Sequence, residues 1–178
     1  RATSSLWQRE SIIFPHDRSC IMWFFMNSCY VMSLVTFLFL LVGLAQSFFN
    51  FPVLQANHLA FMVLACIIYC FTETLVIFFF VGTGVSVKEY THDHNLDSAF
   101  HRRSIAIKRR VYPPLMLNLL FMIILFILVG AADTHRLPIW LYQMIFIGCL
   151  FHYVKVKIIQ NACFRDNTEI ILEMSGIK

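Results

Sequence analysis

Three histidines of one polar stretch have the side-chain chemistry that binds transition metals. The stretch 88–114 contains His92, His94 and His101, with two aspartates interleaved. Imidazole nitrogens and carboxylate oxygens are ligands for zinc, iron and copper. The spacing therefore raises a metal site as one alternative for this stretch, and a solvated loop as the other.

The histidine cluster resembles, in part, those of four-helix membrane hydroxylases and desaturases. Those enzymes carry several histidine boxes, of the HxxxH and HxxHH types, on one side of the membrane. This chain has a single loose cluster and no second box. The solvated loop is therefore the favoured interpretation, and no metal or other cofactor is expected.

A second set of polar residues lies within the apolar runs. Glu73 is the only acidic residue deep in such a run, and a carboxylate there costs about 2.5–3.5 kcal/mol on insertion scales. At about 1.5 Å of rise per residue, Asn27, Asn118 and His152 fall at a related depth, one on each of the other apolar runs. These four residues are predicted to form one intramembrane polar layer.

The polar layer has three interpretations. The favoured one is structural: Glu73 hydrogen-bonds His152 or an asparagine and fixes the packing of the helices. The second is a proton-handling, quinone or metal site that uses Glu73 and His152. The third is contact with another subunit.

Two histidines near the opposite ends of apolar runs raise a further alternative. His58 and His135 lie at the mouths of the second and fourth runs. Two histidines from different helices can ligate a b-type haem, although such ligands normally have a hydrogen-bonded partner on the other ring nitrogen. An interfacial position for both residues is the favoured interpretation.

The elements that must position these residues are membrane-spanning helices. The chain of 178 residues is 59% hydrophobic and 13% charged, whereas a soluble domain has about 25% charged residues. Runs of about 20 apolar residues are long enough to cross a bilayer. The prediction is an all-α integral membrane protein, an antiparallel bundle of four spans at about 20–44, 59–81, 115–132 and 139–157.

Segments outside the spans are predicted to be short. Residues 1–19 form an interfacial segment in which Pro15 ends any helix. The stretch 83–114 is a basic inner loop into which the second span extends as a helix, and 101–111 can form a short helix. Pro113 and Pro114 fit the first turn of the third helix. Residues 161–178 form a helical tail.

The distribution of basic residues predicts the orientation. With four spans, thirteen of the fourteen Lys and Arg residues lie on one side and only Arg136 on the other. Short basic segments stay in the cytoplasm, so both termini are expected there. Anionic lipid headgroups at this face are the expected partners of five residues: Arg102, Arg103, Lys108, Arg109 and Arg110. No nucleic-acid partner is expected.

The function classes that the sequence favours are narrow. No GxSxG, P-loop or HExxH motif occurs, so an enzyme is not the favoured interpretation. We expect a non-catalytic accessory subunit of a larger, energy-converting membrane complex, such as a respiratory or photosynthetic one, in a bacterial cytoplasmic or an organellar inner membrane. The alternative is a redox-active, metal-binding or haem-binding membrane protein that uses Glu73 with His152, or the surface histidines.

Overall fold

The computed structural model consists of four long helices. They are α1 (Ser4–Phe49), α2 (His58–Asp93), α3 (Ala99–Asp133) and α4 (Ile139–Met174). The structure describes the backbone of residues 4–49, 51 and 57–174, and side chains within these ranges from residue 22 onwards. The side chains of the predicted interfacial segment 1–19 and the last four residues of the predicted tail lie outside the described residues.

All four helices are long and apolar enough to cross a membrane; in α1 the candidate span is Met22–Phe49. At about 1.5 Å per residue, α2, α3 and α4 are each about 52–54 Å long, well beyond a hydrocarbon core of about 30 Å. The predicted all-helical class and its four apolar helices are confirmed. These helices indicate an integral membrane protein.

The helices pack in a ring in which α1 contacts α2, α2 contacts α3, and α3 contacts α4. The ring closes through a less extensive contact between α4 and α1. We call the end that carries the 94–98 turn the basic end, because most of the described Lys and Arg residues lie near it. The end that carries the 134–138 turn is the opposite end.

Both described turns are built by the same capping motif. After α2, the Leu96 N–H donates to the Thr91 carbonyl, and the Asn95 N–H to the His92 carbonyl. After α3, the N–H groups of Arg136 and His135 repeat this pattern on Ala131 and Ala132. This is the Schellman motif, which needs one residue in the left-handed region after the helix.

The left-handed residues of these turns are Asn95, with φ of 51°, and His135, with φ of 56°. Asparagine and histidine are the non-glycine types that tolerate this region best. The turns span only five residues each, so the helices that they join run antiparallel.

The stretch 83–114, predicted as an inner loop with a helical extension of the second span and a short helix at 101–111, is mostly helical. Helix α2 extends to Asp93 and α3 begins at Ala99, so only the turn at 94–98 is irregular. Pro113 and Pro114 lie inside α3 and do not begin it. The buried face of Ile107, Val111 and Leu115 continues past the prolines, and this packing offsets the roughly 3 kcal/mol that a proline costs within a helix.

Helix α1 also differs from its prediction, because it continues through Pro15 to Ser4. The expectation that Pro15 ends the helix was therefore wrong. The first predicted span, 20–44, lies within a longer helix.

Two apolar cores fill the bundle, and polar residues separate them. The core nearer the basic end includes Val76, Phe80 and Leu115. The core nearer the opposite end includes Tyr69 and Met122. On α2 and on α3, the residue between these two cores is polar: Glu73 on α2 and Asn118 on α3.

Candidate functional site

Helical periodicity turns Glu73 into the bundle. Helix α2 buries Tyr69, Thr72, Glu73 and Val76, which follow the i, i+3, i+4, i+7 pattern of one helix face. Glu73 itself has no exposed surface. A carboxylate in this position needs partners on the neighbouring helices, because it has lost its hydration.

The main partners of Glu73 come from α4. Lys157 Nζ lies 2.8 Å from Glu73 Oε1, and Gln160 Nε2 donates to Glu73 Oε2 over 3.0 Å. Lys157 Nζ also donates to Gln160 Oε1 over 2.9 Å. The three side chains form a closed ring of hydrogen bonds around a buried ion pair.

A second branch connects Glu73 to α3 and back to α4. Asn118 Nδ2 donates to Glu73 Oε1 over 3.5 Å, a long hydrogen bond. The Asn118 carbonyl oxygen lies 3.1 Å from His152 Nδ1. Because this oxygen can only accept, the proton of the hydrogen bond belongs to His152 Nδ1.

The lysine is held by an aromatic ring as well as by the carboxylate. Lys157 Nζ lies 4.9 Å from the centre of the Tyr153 ring, within the range of a cation–π interaction. The Tyr153 hydroxyl donates to the Ser33 carbonyl over 3.0 Å, which connects the cluster to α1. We call Glu73, Asn118, His152, Lys157 and Gln160 the polar cluster.

Three of the four residues predicted for the polar layer meet in this cluster: Glu73, Asn118 and His152. Asn27 does not, because its side chain is exposed on the outside of α1. Helix α1 buries Cys29 and Thr36 instead. Asn27 is two residues from Cys29, a rotation of about 200° around the helix, so it faces the other way.

Lys157 and Gln160 are members of the cluster that were not predicted from the sequence. There Lys157 counted only among the basic residues that predict the orientation, and Gln160 had no predicted role. The available signal was spacing: Tyr153, Lys157, Gln160 and Phe164 follow one another at intervals of four, three and four residues. Such intervals place all four on one helix face, together with the apolar residues of the core.

The geometry of the polar cluster favours a structural role over substrate binding, metal binding or proton transfer. Both Glu73 oxygens accept hydrogen bonds, so the carboxylate offers little room for a substrate or a metal ion. Asn118 separates Glu73 from His152, and an amide does not pass a proton from one neighbour to the other as a carboxylate or imidazole does. Among the described residues, no group of three or more His, Cys, Asp or Glu side chains is placed to hold a metal ion.

The three histidines of the 88–114 stretch do not converge. His92 and His94 are exposed, and the His94 ring stacks on Tyr90 with the ring centres 4.0 Å apart. His101 is half-buried on the first turn of α3, with its Nδ1 buried and lacking a described hydrogen-bond partner. The arrangement gives no support to the metal alternative.

The two histidines near the opposite end have separate surroundings. His58 Nε2 lies 3.0 Å from the Tyr142 hydroxyl, and its Nδ1 is buried without a described partner. His135 is exposed and provides the left-handed residue of the α3–α4 turn. The capping role of His135 explains its presence without a haem.

The five basic residues predicted to contact lipid headgroups divide into three kinds. Arg103 pairs with Glu173, and Arg110 Nη1 lies 3.4 Å from Asp166 Oδ2. Lys108 packs on α2 against Gly84, where a Cβ atom would collide with the lysine side chain. Arg102 and Arg109 are exposed and form no ion pair with the described acidic residues.

Comparison with known proteins adds nothing to this geometry, since no protein-family model, curated protein or solved structure matches the chain significantly.

Proposed function

We propose that the protein is a non-catalytic accessory subunit of a larger membrane complex. The observation that supports the proposal is that both carboxylate oxygens of Glu73 accept hydrogen bonds from side chains of the same chain. An ionisable residue in a membrane helix implies a function or a partner, and here the partner lies within the same chain. The polar cluster therefore clamps α2, α3 and α4 together and leaves the chemistry to other subunits.

The basic end supports contact with partners outside the hydrocarbon core. If the core begins at the opposite end of α4, its thickness of about 30 Å corresponds to about 20 residues, so the last 15 or so residues of α4 project beyond it. Arg103–Glu173 and Arg110–Asp166 join this projection to α3. We propose that the ion-paired projection lies in the cytoplasm, as the basic residues predict, and offers a stable surface to other subunits.

The class of the parent complex is proposed from the sequence. We propose an energy-converting assembly in a bacterial cytoplasmic or an organellar inner membrane, as expected from the sequence. The polar cluster does not favour the redox-active alternative, because its carboxylate already accepts hydrogen bonds from Lys157, Gln160 and Asn118.

Isolation of the protein from its native membrane tests the subunit proposal. We expect that extraction in a mild detergent yields a particle much larger than the 20.8 kDa chain, with the same partner proteins in constant ratio. Size-exclusion chromatography followed by mass spectrometry measures both. A monodisperse particle that contains only this chain would overturn the proposal.

Anionic lipid binding is proposed for the unpaired arginines of α3. Replacing Arg102 and Arg109 by Gln is expected to lower the retention of phosphatidylglycerol relative to phosphatidylcholine, because each basic residue near a membrane surface contributes about 1 kcal/mol. Native mass spectrometry of the detergent-solubilised protein measures this retention.

The matched control for the lipid prediction replaces Arg103 and Arg110 by Gln. These arginines lie on the same helix but face Glu173 and Asp166. Their loss is expected to leave lipid retention nearly unchanged and to reduce stability by at most about 1 kcal/mol each, as for other exposed ion pairs. Equal loss of phosphatidylglycerol from the two double variants would contradict the proposal that the unpaired arginines bind the anionic lipid and the ion-paired ones do not.

A further inference from the structure

A cavity lies at the least extensive of the four helix contacts that form the ring. Between α1 and α4 lies a groove of about 390 Å³, within the range of small-molecule sites. Its α1 wall includes Tyr30 and Phe37, and its α4 wall includes Tyr153, Lys157 and Phe164. The groove opens sideways, because Leu34 and Ile158 on its rim are exposed.

The floor of the groove offers hydrogen-bond donors. The Lys157 ammonium has three N–H bonds, of which two are directed to Glu73 and Gln160. Its side chain lines the groove and is 17% exposed, and its ammonium also lies 4.9 Å from the centre of the Tyr153 ring. Asn161 accepts a hydrogen bond from the Tyr30 hydroxyl through Oδ1, which leaves its amide N–H groups for a ligand.

The paired charges of Lys157 and Glu73 at the bottom of the groove favour a neutral ligand. Glu73 already balances the positive charge of Lys157. A phosphate or carboxylate would bring an uncompensated negative charge to this pair, whereas a carbonyl oxygen accepts a hydrogen bond without one. The ligand head is therefore neutral and carries hydrogen-bond acceptors.

The walls of the groove select a flat, apolar ring. Four of its lining side chains are aromatic: Tyr30, Phe37, Tyr153 and Phe164. Aromatic rings pack favourably against other planar rings at offset or edge-on angles. Lys157 lies about 27 Å from the start of α4, so a head bound there lies near one boundary of a 30 Å core.

From these features we propose that the groove between α1 and α4 binds the head group of a membrane quinone. A quinone carbonyl accepts from Lys157 or Asn161, the ring lies among the aromatic side chains, and the isoprenoid tail leaves through the lateral opening. The site goes beyond the proposed function, because it belongs to this chain whether or not partner subunits surround it.

Photoaffinity labelling tests the quinone site. The full chain is reconstituted in phosphatidylcholine nanodiscs and titrated with a short-tailed azidoquinone, and labelled peptides are mapped by mass spectrometry. We expect saturable labelling near one quinone per protein, confined to peptides of α1 and α4 that line the groove. Labelling that does not saturate, or that maps to other helices, would overturn the proposal.

Two valines provide a matched pair of variants. Val154 lines the groove and is 39% exposed, and Val63 on α2 is 38% exposed and lies outside it. Val154→Phe fills the groove and is expected to lower quinone affinity at least about tenfold, a change of about 1.4 kcal/mol. Val63→Phe is expected to leave the quinone affinity unchanged. Equal labelling of the two variants would overturn the proposal.

A second variant and a competitor close the remaining routes. Asn161→Leu changes an exposed residue and removes a donor, so it tests the head-group contact even if Val154→Phe fails to fold. Phosphatidylglycerol is expected not to displace the quinone at a large excess. Full displacement by this lipid would identify the groove as a lipid site and overturn the proposal.

Discussion

Replacing Glu73 by Gln is expected to destabilise the protein by about 3–5 kcal/mol, the usual effect of removing one partner from a buried ion pair. The variant keeps a side chain that can bond Gln160, but Lys157 is left as a buried charge without its carboxylate. Helices α2 and α4 would lose the ion pair that joins them across the centre of the bundle. Unfolding in mixed micelles of dodecyl maltoside and dodecyl sulfate, followed by circular dichroism, measures the change.

A double variant separates the lost ion pair from the lost carboxylate. Glu73→Gln with Lys157→Met removes both charges, and we expect it to recover most of the lost stability, since uncharged replacements of a buried pair are often neutral. The single and double variants should assemble with partners in proportion to their stability. If Glu73→Gln is fully stable and assembled but the parent complex loses its activity, the structural interpretation of the polar cluster is wrong.

The level of a residue along its helix could be predicted from the sequence, but the side of the helix that faces the bundle could not. Counting from the ends of the apolar runs placed Glu73, Asn118 and His152 at related depths, and the structure brings them together. The same counting included Asn27, which is exposed. Depth depends on the rise per residue, whereas direction depends on which residues the other helices cover, and only packing decides that.

The missed lysine shows a second limit of sequence reasoning. A basic residue near the end of an apolar run is normally a topology signal, and Lys157 was interpreted in that way. Its spacing from Tyr153 and Gln160 gave the contrary signal, because these residues share one helix face. Since α4 extends far beyond the predicted span, Lys157 lies inside the bundle and pairs with Glu73.

The turns were harder to predict than the helices. His92, His94 and His135 have the residue type of metal or haem ligands, but all three lie at a helix end or in a turn, where the backbone of His92 and of His135 takes part in the capping motifs. His135 occupies the left-handed position of a Schellman motif, and the His92 carbonyl accepts a hydrogen bond in the other. The sequence shows which side chains are present, whereas the conformation and hydrogen bonds of their backbone groups depend on where each helix ends.

Replacing Phe164 by Ala is expected to destabilise the protein by about 3–5 kcal/mol, the usual effect of truncating a buried phenylalanine. Phe164 is 3% exposed. Its ring centre lies 5.4 Å from that of Tyr30 on α1, and 4.9 Å and 5.0 Å from those of Phe79 and Phe80 on α2. Truncation would leave a cavity where three helices meet, because rings in close-packed positions relax only partly.

The matched control for Phe164 is Phe151 on the same helix. Phe151 is 74% exposed, so Phe151→Ala removes the same atoms from the outer surface of the bundle and is expected to change stability by less than about 0.5 kcal/mol. Unfolding in the same mixed micelles compares the two variants directly. Similar losses for both would show that Phe151 is covered by a second chain or that Phe164 does not join the helices, and thermal scans of the protein inside its parent complex would distinguish these two explanations.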